Sequence, residues 1–429
     1  MLYTSGVKSE LLLQYQQNIR LSGRDYKLFP ELFTGLFLGL FMGVISGLIP
    51  GIHANTMAGF LLSFQAAVLL FLGPEAMAVS LFCALITHTF LDIIPSAVFG
   101  IPDADTAITV LPAHNFILEG RGSEAVRLSA VGGLYAVIFS MPLIILFFTV
   151  LPVFQDYIDW WIGILLIAVA GILALSSESP EWFTAVFLTS GILGVFTFNY
   201  PYLATGVAGQ SGILMPLLTG LFGISVLLFS SGGVMPEQGK NSGWNRNNSI
   251  FKCSLAGTAA GAVVGWLPGL SNASANAVLA SVLNYDKDGG GFIVATGAAN
   301  TANAFLGLAA LYALSRTRNG IMVAISLIDL PPMLLLVAFG ALAAMAAYLI
   351  TFFLAGRLGV FKGFNVRNVG ITVILFCVVL SFILTGPYGL FILGLATAVG
   401  VVPSVINVRR VSCMGAIMLP VILWSLELM

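Results

Sequence analysis

Charge is the scarcest property of this 429-residue chain: Asp, Glu, Lys and Arg make up 8% of it, against about 25% in an ordinary soluble domain. Seventeen Lys and Arg stand against 18 Asp and Glu, so the formal net charge is −1 and there is no basic footprint for nucleic acid. Histidine (3 residues) and cysteine (4) are equally sparse. His53, His88 and His114 fall in three separate segments with no HExxH spacing, and Cys83, Cys253, Cys377 and Cys413 sit singly with no CxxC pair. Spacing therefore yields no metal ligand set, no cofactor and no catalytic residue, and the cysteines read as small packing residues. No nucleophile elbow is present either. The first 30 residues carry Lys8, Glu10, Arg20, Arg24, Asp25 and Lys27 and lack a signal-peptide core, which reads as a cytoplasmic or interfacial lead-in.

Apolar surface is what the chain has in excess. Hydrophobic residues are 59% of it, 47 residues are glycine, and the mean hydropathy is +1.02. Spans long enough for a bilayer, about 20 residues each, recur from residue 31 to the C-terminus. The expected fold class is an all-α polytopic protein of the cell membrane.

The sequence repeats one backbone pattern. GLFMGVISGLIPG at 39–51 returns as GTAAGAVVGWLPG at 257–269, an offset of 218 (268 minus 50), with only four glycines, one proline and no side-chain chemistry retained. Gly39, Gly43 and Gly47, like Gly257, Gly261 and Gly265, stand four apart on one helix face and admit a second helix closely. Pro50-Gly51 and Pro268-Gly269 then break the helix. Polar residues follow each break: His53, Asn55 and Thr56, then Ser271, Asn272, Ser274 and Asn276. Paired broken helices in two halves point to a transporter's binding site.

The expected organisation is a lead-in over 1–30, a first membrane repeat over 31–234, a polar linker over 235–251 and a second repeat over 252–429. Spans are expected at 31–49 and on to about 72, at 76–94, 126–151, 160–176, 181–199 and 207–229. In the second half they fall at 252–283, 291–314, 321–355 (kinked or divided by Pro331-Pro332), 368–384, 388–403 and 411–426. Residues 95–120, with three prolines in an apolar run, are expected to form a re-entrant segment. About seven crossings per half would invert the second repeat in the membrane.

Ionisable groups inside apolar runs are costly and so mark function. His88 and Asp92 share a helix face, and their comparable place in the second half holds Asn300, Thr301 and Asn303; coupling-ion coordination and plain helix-end hydrogen bonding both fit. Asp105, in IPDADT with Asp103, suits either a cation or a helix N-cap. His114, Glu119, Arg121, Glu124 and Arg127 read as a solvated surface loop, as do Glu178 and Glu181, while Asp329 lies in the apolar part or at the bilayer surface.

Beyond the twin GxxPG breaks, three stretches carry a resemblance: DIIPSAVFGIPDADTAITVLPAHNFILEGRGSEAVRLSAVGG at 92–133, LMPLLTGLFGISVLL at 214–228 and RRVSCMGAIMLPVIL at 409–423. Together they resemble the large membrane subunit (TctA type) of tripartite tricarboxylate transporters, and more closely its archaeal DUF112-type branch. Two places depart from that pattern: a Tyr-Gly-Gly-Ser turn is replaced by the surroundings of His88 to Asp92, and a DGYPMA-like run reads LPAHNF. The resemblance implies a carboxylate substrate and, as partners, a small membrane subunit and an extracytoplasmic binding protein.

The expected function is secondary active transport of an anionic, carboxylate-class solute, coupled to Na+ or H+ by alternating access. Pro50, Gly51, His53, Asn55, Thr56, Pro268, Gly269, Ser271, Asn272 and Asn276 are expected to bind it, where half-helix N-termini favour negative charge. His88, Asp92, Asp105, Asn300, Thr301 and Asn303 are the candidates for the coupling ion. A translocase of a lipid phosphate (polyprenyl carrier) is the alternative, and convergence of His53, His88 and Asp92 on a metal would make an intramembrane enzyme instead. Membrane lipids and a second copy of the chain complete the expected partners.

Overall fold

The computed structural model describes residues 29–49, 72–99, 110–228, 236–239, 249–267, 272, 275, 289–317, 319–328, 330–362 and 366–428, whose regular structure is entirely helical. Helix α1 (Phe29–Leu48) lays its glycine edge along α2 (Pro74–Leu91). Gly35 and Gly39 meet the backbone carbonyls of Ala76 and Ser80, and Gly43 and Gly47 meet Thr87 and Leu91. Pro74 fits the first turn of α2 because its missing N–H would be unbonded there anyway. Every residue of α2 from Ala76 onward is buried, the mark of a helix at the centre of a bundle.

The second half repeats this pair. In α8 (Ser249–Trp266), Gly257, Gly261 and Gly265 lie against Ala295, Ala299 and Leu306 of α9 (Gly290–Leu314). The first-half partners Ser80, Ala84 and Leu91 are each 215 positions earlier (295 minus 80), whereas the glycines themselves are 218 apart. The register therefore slips by three between the striped helix and its partner. By this structural alignment His88 corresponds to Asn303 and Asp92 to Gly307, while Asn300 corresponds to Leu85.

After α2 come α3 (Ile93–Phe99), α4 (Val110–Leu118) and α5 (Gly122–Leu175). Helix α4 packs back on α3, and His114 Nδ1 meets the Ala97 carbonyl at 2.8 Å. The apex of the expected re-entrant segment, with Asp103 and Asp105, lies outside the described residues. Helix α5 crosses to the other half: Gly132 and Gly133 meet the Val294 carbonyl and Thr301 of α9, and Gly297 of α9 meets the Ser129 carbonyl. Reciprocally α11 (Met333–Ala355), preceded by α10 (Gly320–Ser326), lies on α2 through Gly340 against the Phe82 ring. Pro331-Pro332 separates α10 from α11 as expected.

A second core is built from the C-terminal part of α5, α6 (Pro180–Asn199), α7 (Leu214–Leu218), α12 (Val366–Val405) and α13 (Gly415–Ser425), including Phe183, Leu221, Phe222, Ile392, Ala396 and Met418. Helix α7 continues as a π-helical turn over Thr219–Ile224, and Gly220 and Gly400 bring that turn onto α12. Each half thus sends its first helices into one core and its last helices into the other.

One pair of expected spans is joined: 126–151 and 160–176 belong to the 54-residue helix α5, which runs through Pro142 and Pro152. The expected spans 368–384 and 388–403 are the two arms of α12, which meet at a non-helical residue between them. Helix α12 keeps a sharp kink at Gly386, whose φ of 71° suits glycine alone. Pro387 has no N–H for the Ile383 carbonyl. That carbonyl instead accepts from Val207 N–H at 2.9 Å, and Leu384 from Ala208 N–H at 2.9 Å. Seven helices among the described residues are long and apolar enough to cross a bilayer, and Trp161–Leu175, Leu214–Ile224, Ile250–Trp266 and Arg410–Ser425 are shorter apolar helices.

Gly257→Ala places a methyl on the Ala295 carbonyl and Gly171→Ala places one in open space. The first should lower stability by about 1–3 kcal/mol, the second raise it slightly or leave it unchanged. Thermal unfolding of the detergent-solubilised protein measures both.

Candidate functional site

The end of α2 meets the middle of α9 at a chain of polar side chains in an otherwise apolar core. Asp92 caps α2, its N–H bonded to the His88 carbonyl at 3.0 Å, and its carboxylate is buried. Asn300 comes from the opposite half. Its Nδ2 donates to Asp92 Oδ2 at 2.6 Å, and its Oδ1 accepts from Asn272 Nδ2 at 3.2 Å. Asn272 stands four residues beyond Pro268 and is fully buried, so this chain links the second break to the first half's central helix. A buried carboxylate without compensating donors is strongly disfavoured, and a hydrogen bond to a charged group is roughly twice as strong as a neutral one.

One turn earlier on α2, His88 Nδ1 lies 3.1 Å from Ser46 Oγ of α1. Thr89 Oγ1 lies 3.2 Å from Thr301 Oγ1, a second link between the halves, and donates to the Ile86 carbonyl at 2.8 Å. Thr301 also faces Gly133 of α5. Asn303 is partly buried and sits beside Gly261 of α8. Hence His88, Asp92, Asn272, Asn300 and Thr301 gather where α1, α2, α5 and α9 meet, while Asn303 stays on the α8 side. Pro50, Gly51, His53, Asn55, Thr56, Asp105, Pro268, Gly269, Ser271 and Asn276 lie outside the described residues, as does Asp329.

Sequence reasoning missed Ser46 and the pair Trp266 Nε1 to Gln155 Oε1, at 3.0 Å. Ser46 did carry a signal: it is the one hydroxyl within the first glycine stripe, next to Gly47. No group of three His, Cys, Asp or Glu side chains among the described residues has a metal-binding arrangement. His114 is turned to the Ala97 carbonyl instead.

Of the expected solvated loop only Glu119 is exposed: His114 is half-buried in α4, and Glu124 and Arg127 are half-buried in the first turns of α5. Arg121 bridges Glu124 at 2.9 Å and Glu119 at 3.0 Å, which raises its pKa further. Gln238 donates to the Ile117 carbonyl and accepts from Gly122 N–H, both at 3.0 Å, so part of the inter-repeat linker is stitched to this loop. Lys362 bonds Glu237 at 2.9 Å and holds its carboxyl below the usual carboxylate range. Glu178 and Glu181 are exposed, as expected.

The profile of the tripartite tricarboxylate transporter TctA family matches residues 33–415, which includes both striped helices and the polar chain between them. The chain belongs to the TctA family. It is therefore a multi-pass membrane component of a transporter, as the seven full-length apolar helices among the described residues also indicate. An uncharacterized protein of Methanocaldococcus jannaschii is 30% identical over 281 residues, covering 65% of this chain and 68% of its own length. No solved structure matches the chain. Within this TctA-family chain the segment that departs from the resembled pattern, His88 to Asp92, includes Thr89 and Asp92, which bond Thr301 and Asn300 of the other half.

A double-mutant cycle of Asp92→Ala and Asn300→Ala should give a coupling of about 1.5–3 kcal/mol, the range for hydrogen bonds to charged groups. Asn303→Ala paired with Asp92→Ala should be additive. Unfolding in mixed detergent micelles reads both cycles.

Proposed function

We propose that this protein is a secondary active carrier of a small carboxylate anion, driven by a proton or sodium gradient. The two Pro-Gly breaks are taken to face one another near the bilayer midplane, related by inverted repeats. The observation that carries the reading is the polar chain Asp92–Asn300–Asn272, which ties the centre of one half to the break of the other. Supporting it, the sequence after each Pro-Gly carries hydroxyl and amide side chains, Asn55 and Thr56 in the first half and Ser271 and Asn272 in the second, of the kind that suit an anion and a small cation.

No Lys or Arg occurs from Gly51 to Leu72 or from Cys253 to Leu283. An anion bound there is held by helix N-termini and neutral donors, which favours small carboxylates with few charges over a fully ionised tricarboxylate. Family membership supports a partner membrane subunit and an extracytoplasmic binding protein. Closure about the site would alternate between the two membrane faces as the two cores shift relative to each other.

Uptake into proteoliposomes over a panel of mono-, di- and tricarboxylates, with imposed Na+ or pH gradients, is the direct measurement. At least one carboxylate should accumulate against its gradient. Asn272→Ala should reduce uptake at least tenfold while the protein stays folded. Movement of a polyprenyl phosphate with no movement of any soluble carboxylate would select the lipid-carrier alternative.

A further inference from the structure

We propose that Asp92, Asn300 and Asn272 form a reversible amide relay by which a proton on Asp92 turns the far end of the chain from an anion-repelling oxygen into an anion-binding N–H. This deepens the carrier reading above, on which it rests, and makes the coupled ion a proton.

The relay is visible in the direction of its hydrogen bonds. Asn272 Nδ2 donates to Asn300 Oδ1, and Asn300 Nδ2 donates to Asp92 Oδ2. Both amides thus point their N–H groups toward Asp92, the order an ionised carboxylate demands because it accepts only. The far end of this order is Asn272 Oδ1, a buried oxygen with no hydrogen-bond partner among the described residues. An oxygen there suits a donor and repels a carboxylate anion.

Protonation reverses each link. A proton from the aqueous side adds to an Asp92 oxygen, which then donates an O–H. Asn300 turns its amide to accept that O–H on Oδ1 and offers Nδ2 to Asn272. Asn272 accepts on Oδ1, and its Nδ2 takes the place of the free oxygen. The 2.6 Å separation between Asp92 and Asn300 suits an O–H···O bond as well as a charge-assisted N–H···O bond. When the proton leaves to the opposite side the amides return and the anion loses its donor. One proton and one anion therefore cross together.

Among the described residues the ionisable surroundings are few: besides His88, α2 carries Glu75 in its first turn and Cys83, and α8 carries Lys252 and Cys253 near its start. On α2 itself His88 bonds Ser46, and α1 holds only Glu31, about four turns from Ser46. Helices α3 and α10 have none, α9 has only Tyr312, and α11 only Tyr348. On the first turns of α5, Glu124 is paired with Arg121, and Arg127 stacks on Phe352 at 5.1 Å.

Equilibrium binding of radiolabelled citrate, succinate and acetate to the full-length protein across pH tests the relay, each variant being compared with wild type so that titration of the anion cancels. Wild-type affinity for the bound anion should fall about ten- to a hundredfold from the acid to the alkaline limb, the usual size of a coupling between sites. Asp92→Asn should bind with no such pH dependence, and His88→Gln should keep the wild-type profile. In proteoliposomes a pH gradient should drive accumulation by wild type, while Asp92→Asn should still exchange anion for anion without accumulating it. On wild type alone, anion addition should produce the infrared C=O stretch of a newly protonated carboxyl group. Retention of the wild-type profile in Asp92→Asn, its loss in His88→Gln, accumulation driven by Na+ but not by pH, or absence of the infrared band would each overturn the relay and leave the carrier reading standing. No binding or movement of any carboxylate by wild type would overturn the carrier reading itself.

Discussion

In hydrocarbon, helices gain little from hiding apolar side chains from one another, since lipid is as apolar as leucine. Close backbone approach supplies the attraction instead. The structure depends on this constraint at nearly every contact that matters. Gly35 to Gly47 seat α1 on α2, Gly257 to Gly265 seat α8 on α9, and Gly132, Gly133 and Gly297 seat α5 on α9 across the halves. With side chains removed from these seams, a few polar groups can meet directly. Thr89 reaches Thr301, and Asp92 reaches Asn300, only because the backbones that bear them are drawn together.

The crossing of the halves gives the site its character. Helix α5 of the first half packs on α9, and α11 of the second half packs on α2, so neither half encloses a complete core. A ligand group placed at the Asp92–Asn300 junction acts on both halves at once. The second core, with its π-helical turn and kinked α12, is built from different helices and shares with the first mainly the long helix α5. Pro142 and Pro152 leave α5 continuous, though each removes an intrahelical hydrogen bond, and this is where a two-core molecule of this design has room to bend.

Much of this was legible in the sequence for a simple reason. The glycine stripes and Pro-Gly breaks specify backbone geometry, and backbone geometry repeats even when side chains do not. Asp92 and Asn300 stood out because polar groups in apolar runs need partners. Their pairing was not legible. The three-residue slip between striped and central helices places Asn303, not Asn300, opposite His88 in the repeat, and only the crossing of the helices brings Asn300 to Asp92. Ser46 passed as another small packing residue because its partner lies 42 positions away. The division into two cores left no periodic trace, since a lipid-facing surface and a buried one are both apolar. The continuity of α5 was missed because loops and kinks share the same proline and glycine signals.

The kink in α12 has a consequence for how the chain assembles. The Ile383 and Leu384 carbonyls are satisfied by N–H groups of Val207 and Ala208, from a loop between α6 and α7. In a bilayer no water replaces those donors. The last third of the chain therefore reaches its final shape only once a loop from the first half is already in place. Biogenesis of the second core is ordered by hydrogen-bond supply: the first half furnishes a docking edge on which a helix synthesised much later is allowed to bend.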